Sequence, residues 1–180
     1  MGITNREFKK RRKEIMSRME PNSISLLSSA PECLRNNDAE YQYRQNSDFY
    51  YLTGFTEPHA ILALVPGREQ GEVILFCREK NEEKELWTGY ILGPEAAIDS
   101  LKIDDAYPIE DVDEIISGLI EGKDRIYYSM GRDDHFDRQV MTWVKNLRNN
   151  AKVGPPPPSE FQVLDHLLHE LRLIKSPAEI

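Results

Sequence analysis

Two apolar runs, Ala60–Val65 and Glu72–Cys77, are separated by a short link in which Pro66-Gly67 closes the first run and Gly71 opens the second. Proline has no N–H for a ladder and glycine takes turn conformations at little steric cost, so the chain must break and reverse there. Runs this short are strands rather than helices, and strands joined by so short a link pair antiparallel. Phe49–Thr53 is aromatic, ends in a β-branched residue and is punctuated by Gly54, which reads as a third strand of the same group. Whatever else the chain forms, it is organised around a sheet.

Helical periodicity supplies the cover for that sheet. Phe8, Ile15, Met16 and Met19 make one stripe over Asn5–Met19, with Thr4 or Asn5 available as cap. Pro94–Leu101 starts on a first-turn proline, Val112, Ile115, Ile116, Leu119 and Ile120 mark a helix stopped by Gly122, and Phe136, Val140, Trp143, Val144 and Leu147 mark another over Asp133–Leu147. Ser25–Ser28, closed by Pro31, and Arg125–Ser129 read as further strands, with a polar loop running up to Asp48. Strands grouped early and then mixed with helices predict an α/β or α+β chain, and the expectation is an α/β fold whose mixed β-sheet is flanked by helices. Pro155–Pro158 lacks backbone donors and reads as an extended segment marking a domain edge, or as a proline-rich ligand for an aromatic groove. After it Phe161, Leu164, Leu167, Leu168 and Leu171 predict an amphipathic helix ending near Lys175. Ser176-Pro177-Ala178-Glu179 then combines a capping serine, a first-position proline and a glutamate three residues on, the start of another helix. The expectation is that the native chain continues beyond Ile180.

Charge and composition exclude several classes of function. With 180 residues the chain is one ordinary domain or one with a short appendage, large enough to fold without a disulfide or metal staple. No apolar run approaches the roughly 18 residues of a membrane helix. The net charge of −8 opposes nucleic-acid binding. It is unevenly spread: residues 1–20 carry an excess of four positive charges, which leaves −12 on the remainder. The run Lys9–Lys13 reads as a solvated helix face, the alternative being a basic nucleic-acid or import patch. Cys33 and Cys77 form no Cys-x-x-Cys pair and no apolar leader begins the chain, which points to a cytoplasmic protein with reduced thiols. Cys77 reads as a buried strand residue.

Signatures of catalysis are missing. The sequence holds no Gly-x-Gly-x-x-Gly, Gly-Lys-Ser/Thr or Gly-x-Ser-x-Gly motif. His166 and His169 are spaced to share a helix face but lack the carboxylates of a di-metal helix, and Asp133, Asp134 and Asp137 around His135 suit a helix first turn. The densest chemistry is the polar and aromatic stretch Asp38–Phe55, whose many side-chain types predict a hydrogen-bonded network.

Tyr43-Arg44-Gln45-Asn46-Ser47-Asp48-Phe49-Tyr50-Tyr51-Leu52-Thr53-Gly54-Phe55, followed by Glu57-Pro58, resembles the amino-terminal domain of bacterial Xaa-Pro aminopeptidases, the aminopeptidase P family. The likeness extends to Arg6-x-Phe8 with the Lys9–Lys13 run, Ala30-Pro31-Glu32, Leu86-Trp87-x-Gly89-x-x-Leu92-Gly93 and the segment from Leu171 to Ile180. The resemblance implies a creatinase/prolidase-type amino-terminal domain with a ribonuclease-H-like motif over residues 1–158. It implies that residues 159–180 form a connecting helix and the first residues of a metal-dependent catalytic domain.

That second domain is expected to hold two divalent metal ions, manganese by the resemblance, through two Asp, one His and two Glu. It would remove an amino-terminal residue that precedes proline. None of those ligands is placed in this chain, for which no catalytic residue, metal or cofactor is expected. The role implied for the chain is in oligomer contacts, as a dimer or tetramer, and in access to the active site. Asp38 and Trp87 fall at positions near the active-site mouth, in trans, while Tyr43, Arg44, Asn46 and Asp48 are expected to form a structural network. The alternative is a stand-alone binding module of the same fold without catalysis; a creatine- or dipeptide-specific hydrolase of the same superfamily is a further rival.

Overall fold

A computed structural model describes residues 3–36, 39–150, 154–176 and 179. In chain order the elements are α1 (Asn5–Arg18), β1 (Ser23–Ser28), β2 (Leu34–Asn36), β3 (Ala39–Glu40), α2 (Ser47–Thr53), β4 (Ile61–Leu64), β5 (Val73–Cys77), α3 (Glu82–Thr88), α4 (Pro94–Leu101), β6 (Asp105–Pro108), a 3-10 turn (Ile109–Asp111), α5 (Val112–Ile120), β7 (Arg125–Tyr128), α6 (Asp134–Asn150), β8 (Glu160–Val163) and α7 (Asp165–Leu173). Six strands form one mixed sheet in the order β6-β5-β4-β1-β7-β8, and β2 and β3 form a separate small hairpin. The β4–β5 and β1–β4 pairs are antiparallel, whereas β5–β6, β1–β7 and β7–β8 are parallel. No described helix is long and apolar enough to cross a membrane.

Strand alternation divides the core between two faces. Leu27, Leu62, Leu64, Leu75 and Cys77 point to the side covered by α1, α2, α4 and α7. Ile24, Leu26, Ile61, Ile74, Phe76 and Ile126 point to the side covered by α5 and α6, where Ile116, Val140 and Trp143 meet them. The central strands bury both faces, which is why they read as continuous apolar runs rather than alternating ones.

The stretch Phe49–Thr53, expected as a strand, is helical. Asn46 caps it, its Oδ1 accepting from the N–H groups of Asp48 (2.8 Å) and Phe49 (3.2 Å), and Gly54 ends it in the left-handed region at φ 70°. A Cβ at Gly54 would also stand 2.5 Å from the Phe8 ring, so glycine serves both the turn and the packing of α1 on α2. The second difference follows the proline run. Phe161 belongs to β8, which pairs parallel with β7 at Ile126↔Phe161, and the helix begins only at Asp165. Phe161 packs on the α5–α6 side while Leu164 and Leu168 are buried on the other, so their helix-like spacing spans a strand-to-helix junction. Residues on both sides of the prolines thus share one sheet.

The basic run of α1 is not simply a solvated face. Arg11 and Arg12 are buried with Phe8, Ile15 and Met16. Arg12, 1% exposed, donates from Nη1 to the Leu52 carbonyl (2.8 Å) and from Nη2 to those of Leu101 (3.1 Å) and Lys102 (2.7 Å). It thereby satisfies the last carbonyls of α2 and α4, which have no partner within their own helices. Arg11 donates to the Tyr51 carbonyl at 3.1 Å and lies 4.0 Å from the centre of the Tyr51 ring.

Candidate functional site

The motif Tyr43–Phe55 builds two connected polar assemblies. In the first, Gln45 Oε1 accepts from the N–H groups of Ala30 (2.9 Å) and Asn46 (2.8 Å), while its Nε2 donates to the Glu57 carbonyl at 2.9 Å. Tyr43 Oη contacts the Ala30 carbonyl at 3.1 Å and Gln45 Oε1 at 2.9 Å, and burial raises its phenol pKa. Glu57 continues the chain of contacts: Oε1 accepts from the Leu92 N–H at 2.8 Å and Oε2 pairs with Arg78 at 3.1 Å. These bonds run from the loop after β1, through the motif, to the link between α3 and α4.

The second assembly centres on Asp48, 5% exposed in the first turn of α2. Its carboxylate pairs with Arg172 of α7 and with Arg132 at 3.3 Å. Arg132 also pairs with Asp165 at 3.1 Å, and Asp165 accepts from the Ser129 hydroxyl at 2.6 Å. Tyr51 Oη donates to the Leu171 carbonyl at 3.3 Å. One helix of seven residues is therefore tied to α1, to the turn after β7 and to α7.

The expected site residues are distributed as follows. Tyr43, Asn46 and Asp48 take part in these assemblies. Arg44, expected to anchor the network, is exposed and makes no hydrogen bond or ion pair among the described residues; the anchoring atoms belong to Gln45, whose amide offers donor and acceptor together. Asp38 lies outside the described residues. Trp87 sits on α3 and is 90% exposed, beside Leu86 at 83% and near Tyr90 at 67%. Sequence reasoning assigned no role to Glu57 or to Arg11 and Arg12, the first because an isolated Glu-Pro carries no pattern, the others because charge concealed their place on the buried stripe.

Four hydrogen bonds from three side chains hold the exposed helix α3 and the link after it in place. Asn81 caps it through the N–H groups of Glu83 and Lys84 (both 3.0 Å), Glu85 accepts from the Ile91 N–H at 2.8 Å, and Glu57 holds Leu92. Beside it runs an open groove of about 950 Å³, bordered by Ser29, Glu32, His59, Arg78, Trp87 and His135. His59 Nε2 and Glu32 Oε2 are 2.8 Å apart on its border. Asp133 acts as a helix cap, accepting from the N–H groups of His135 (2.8 Å) and Phe136 (3.1 Å). His166 and His169 are exposed on α7. Among the described residues no group of three or more His, Cys, Asp or Glu is placed to hold a metal ion. What the arrangement offers is an exposed aromatic side chain beside a polar groove.

Comparison with known proteins matches this geometry. The family model for the aminopeptidase P N-terminal domain covers residues 8–127. The Xaa-Pro aminopeptidase of Escherichia coli (strain K12) is 36% identical over 179 residues, 99% of this chain and 41% of that protein. That of Haemophilus influenzae is 35% identical over 178 residues, again 99% of this chain and 39% of that protein. The structure of Pseudomonas aeruginosa aminopeptidase PepP superposes with a TM-score of 0.97 at 53% identity, covering 99% of this chain and 40% of that one. Zinc-substituted E. coli aminopeptidase P in complex with product gives 0.95 at 35% identity, with 99% and 41% covered. The chain spans about two fifths of the length of these relatives. By sequence and by fold, the chain belongs to the aminopeptidase P family as its amino-terminal domain.

Proposed function

We propose that this chain is the non-catalytic amino-terminal domain of a Xaa-Pro aminopeptidase and that it governs assembly and access to the active site. The observation that carries the reading is α3 and its exit: Leu86 and Trp87 are exposed on a short helix, and Tyr90 is exposed in the link just after it, a segment that capping, Glu57 and Glu85 hold in place. Large apolar side chains such as Leu86 and Trp87 held in water mark a surface that contacts something else. On this reading Trp87 stands at the mouth of an active site, with Asp38 as a second access residue. Tyr43, Asn46 and Asp48 keep the frame, with Arg44 on its outer surface.

Residues 1–158 form the domain proper, and 159–180 carry an edge strand and the helix that leads towards a catalytic domain. That domain supplies two divalent metal ions, manganese on this reading, which would generate the nucleophile and polarise the bond before proline. Substrates are peptides with proline at the second position, the assembly is a homo-oligomer, dimer or tetramer, and the free thiols Cys33 and Cys77 suit a cytoplasmic setting. The intact protein, supplied with manganese, should release the first residue of such peptides, while the chain 1–180 alone should release none. Hydrolysis by the isolated chain, or none by the metal-loaded intact protein, overturns the reading.

A further inference from the structure

The outer face of α1 carries Arg6, Lys9, Lys10 and Lys13, all exposed. Their spacing places 6 with 9 and 10, and 13 with 9 and 10, as neighbours three or four residues apart on one side of the helix. Like charges at that spacing repel. Arg6 also stands in the first turn, where the positive end of the helix dipole disfavours a cation. The carboxylates of α1 do not relieve them: Glu7 pairs with Arg11 at 3.6 Å, and Glu14, which borders the stripe with Ser17, pairs with Arg18 at 3.0 Å. Among the described residues none of the four cations makes an ion pair. The buried side of the helix needs only Arg11 and Arg12, so the outer stripe contributes nothing to the packing and works against the helix electrostatically.

We propose that this stripe is a docking surface for an acidic polypeptide segment, separate from α3 and independent of the peptidase reading. The stripe is about 10 Å long, seven residues at the helical rise. That length matches two or three carboxylates one helical turn apart. An extended nucleic acid would run past it onto a remainder that carries −12, which repels a long polyanion. A short acidic segment meets the cations without that repulsion.

The test uses the intact protein and fluorescein-labelled hexaglutamate, followed by anisotropy at low ionic strength and then with added salt. Saturable binding is expected, weakening with salt and falling about tenfold or more in the Lys9→Glu/Lys13→Glu double variant. The neutral double variant Lys9→Gln/Lys13→Gln should melt at the same temperature as the parent or higher, because repulsion is removed. Absent hexaglutamate binding, equal binding by the reversed variant, or tighter binding of a single-stranded DNA hexamer would each overturn the proposal. So would a lowered melting temperature of the neutral variant, which would make the stripe structural.

Discussion

At the scale of single residues the decisive groups are buried polar atoms with several partners. Arg12 answers three carbonyls from two different helices, and burial lowers its guanidinium pKa to about 10. Arg12→Ala leaves those carbonyls without a donor and opens a cavity, so chemical denaturation should show a loss of about 3–5 kcal/mol. Arg12→Lys should recover little, since one ammonium cannot reproduce the forked guanidinium. Cys77 behaves in the opposite sense: burial pushes its thiol up to about 12 from 9.0. Its folded pKa is therefore the raised one, and the stability it contributes is complete below pH 9 and lost as pH rises towards 12. Tyr43, Tyr51 and Tyr128, all raised by burial, add to the same trend at higher pH. Stability measured by denaturation should fall between about pH 9 and 10, with a shallower fall in Cys77→Ala; above pH 10 the lowered pKa of Arg12 acts in the opposite sense. A disulfide reagent at pH 8 should titrate the exposed Cys33 at once and Cys77 only after unfolding.

Among the elements, α2 carries the frame, because it is tied to α1 through Arg11 and Arg12 and to α7 through Asp48. Asp48→Ala removes both ion pairs, but Arg132 and Arg172 are partly exposed and can be rehydrated, so the expected loss is about 1–3 kcal/mol. Hydrogen exchange should rise first along Asp165–Leu173, before the sheet amides respond; protection unchanged in α7 would show that Asp48 does not hold it. The history of α2 also shows what is legible in sequence. Its aromatic and β-branched residues resemble a strand, yet Asn46 before and Gly54 after it are the cap and stop of a short helix, and those flanks decided the outcome. The stripe Phe8, Ile15, Met16 and Met19 passes through positions 11 and 12, so the buried arginines were legible in spacing and hidden only by their charge. Spacing misled at Phe161, where a strand hands over to a helix across two faces of the sheet. Within the site, the dense polar stretch announced a network, but Gln45 rather than Arg44 anchors it, because the position demanded a donor and an acceptor on one side chain.

For the whole molecule, the mixed sheet with helices on both faces builds two cores that leave α3, with its Leu86 and Trp87, outside. The helix α3 adds no buried residue to either core, and that exposure is what supports the proposed contact role. The most direct measurement is steady-state kinetics of the intact, metal-loaded protein carrying Trp87→Ala, on peptides of increasing length with proline at the second position, with metal content determined in parallel. Reduced turnover of these peptides at unchanged metal content and unchanged melting temperature is the expected result, because Trp87 supports no packing within the chain. Kinetics identical to the parent on every peptide length would contradict the role of this domain in access.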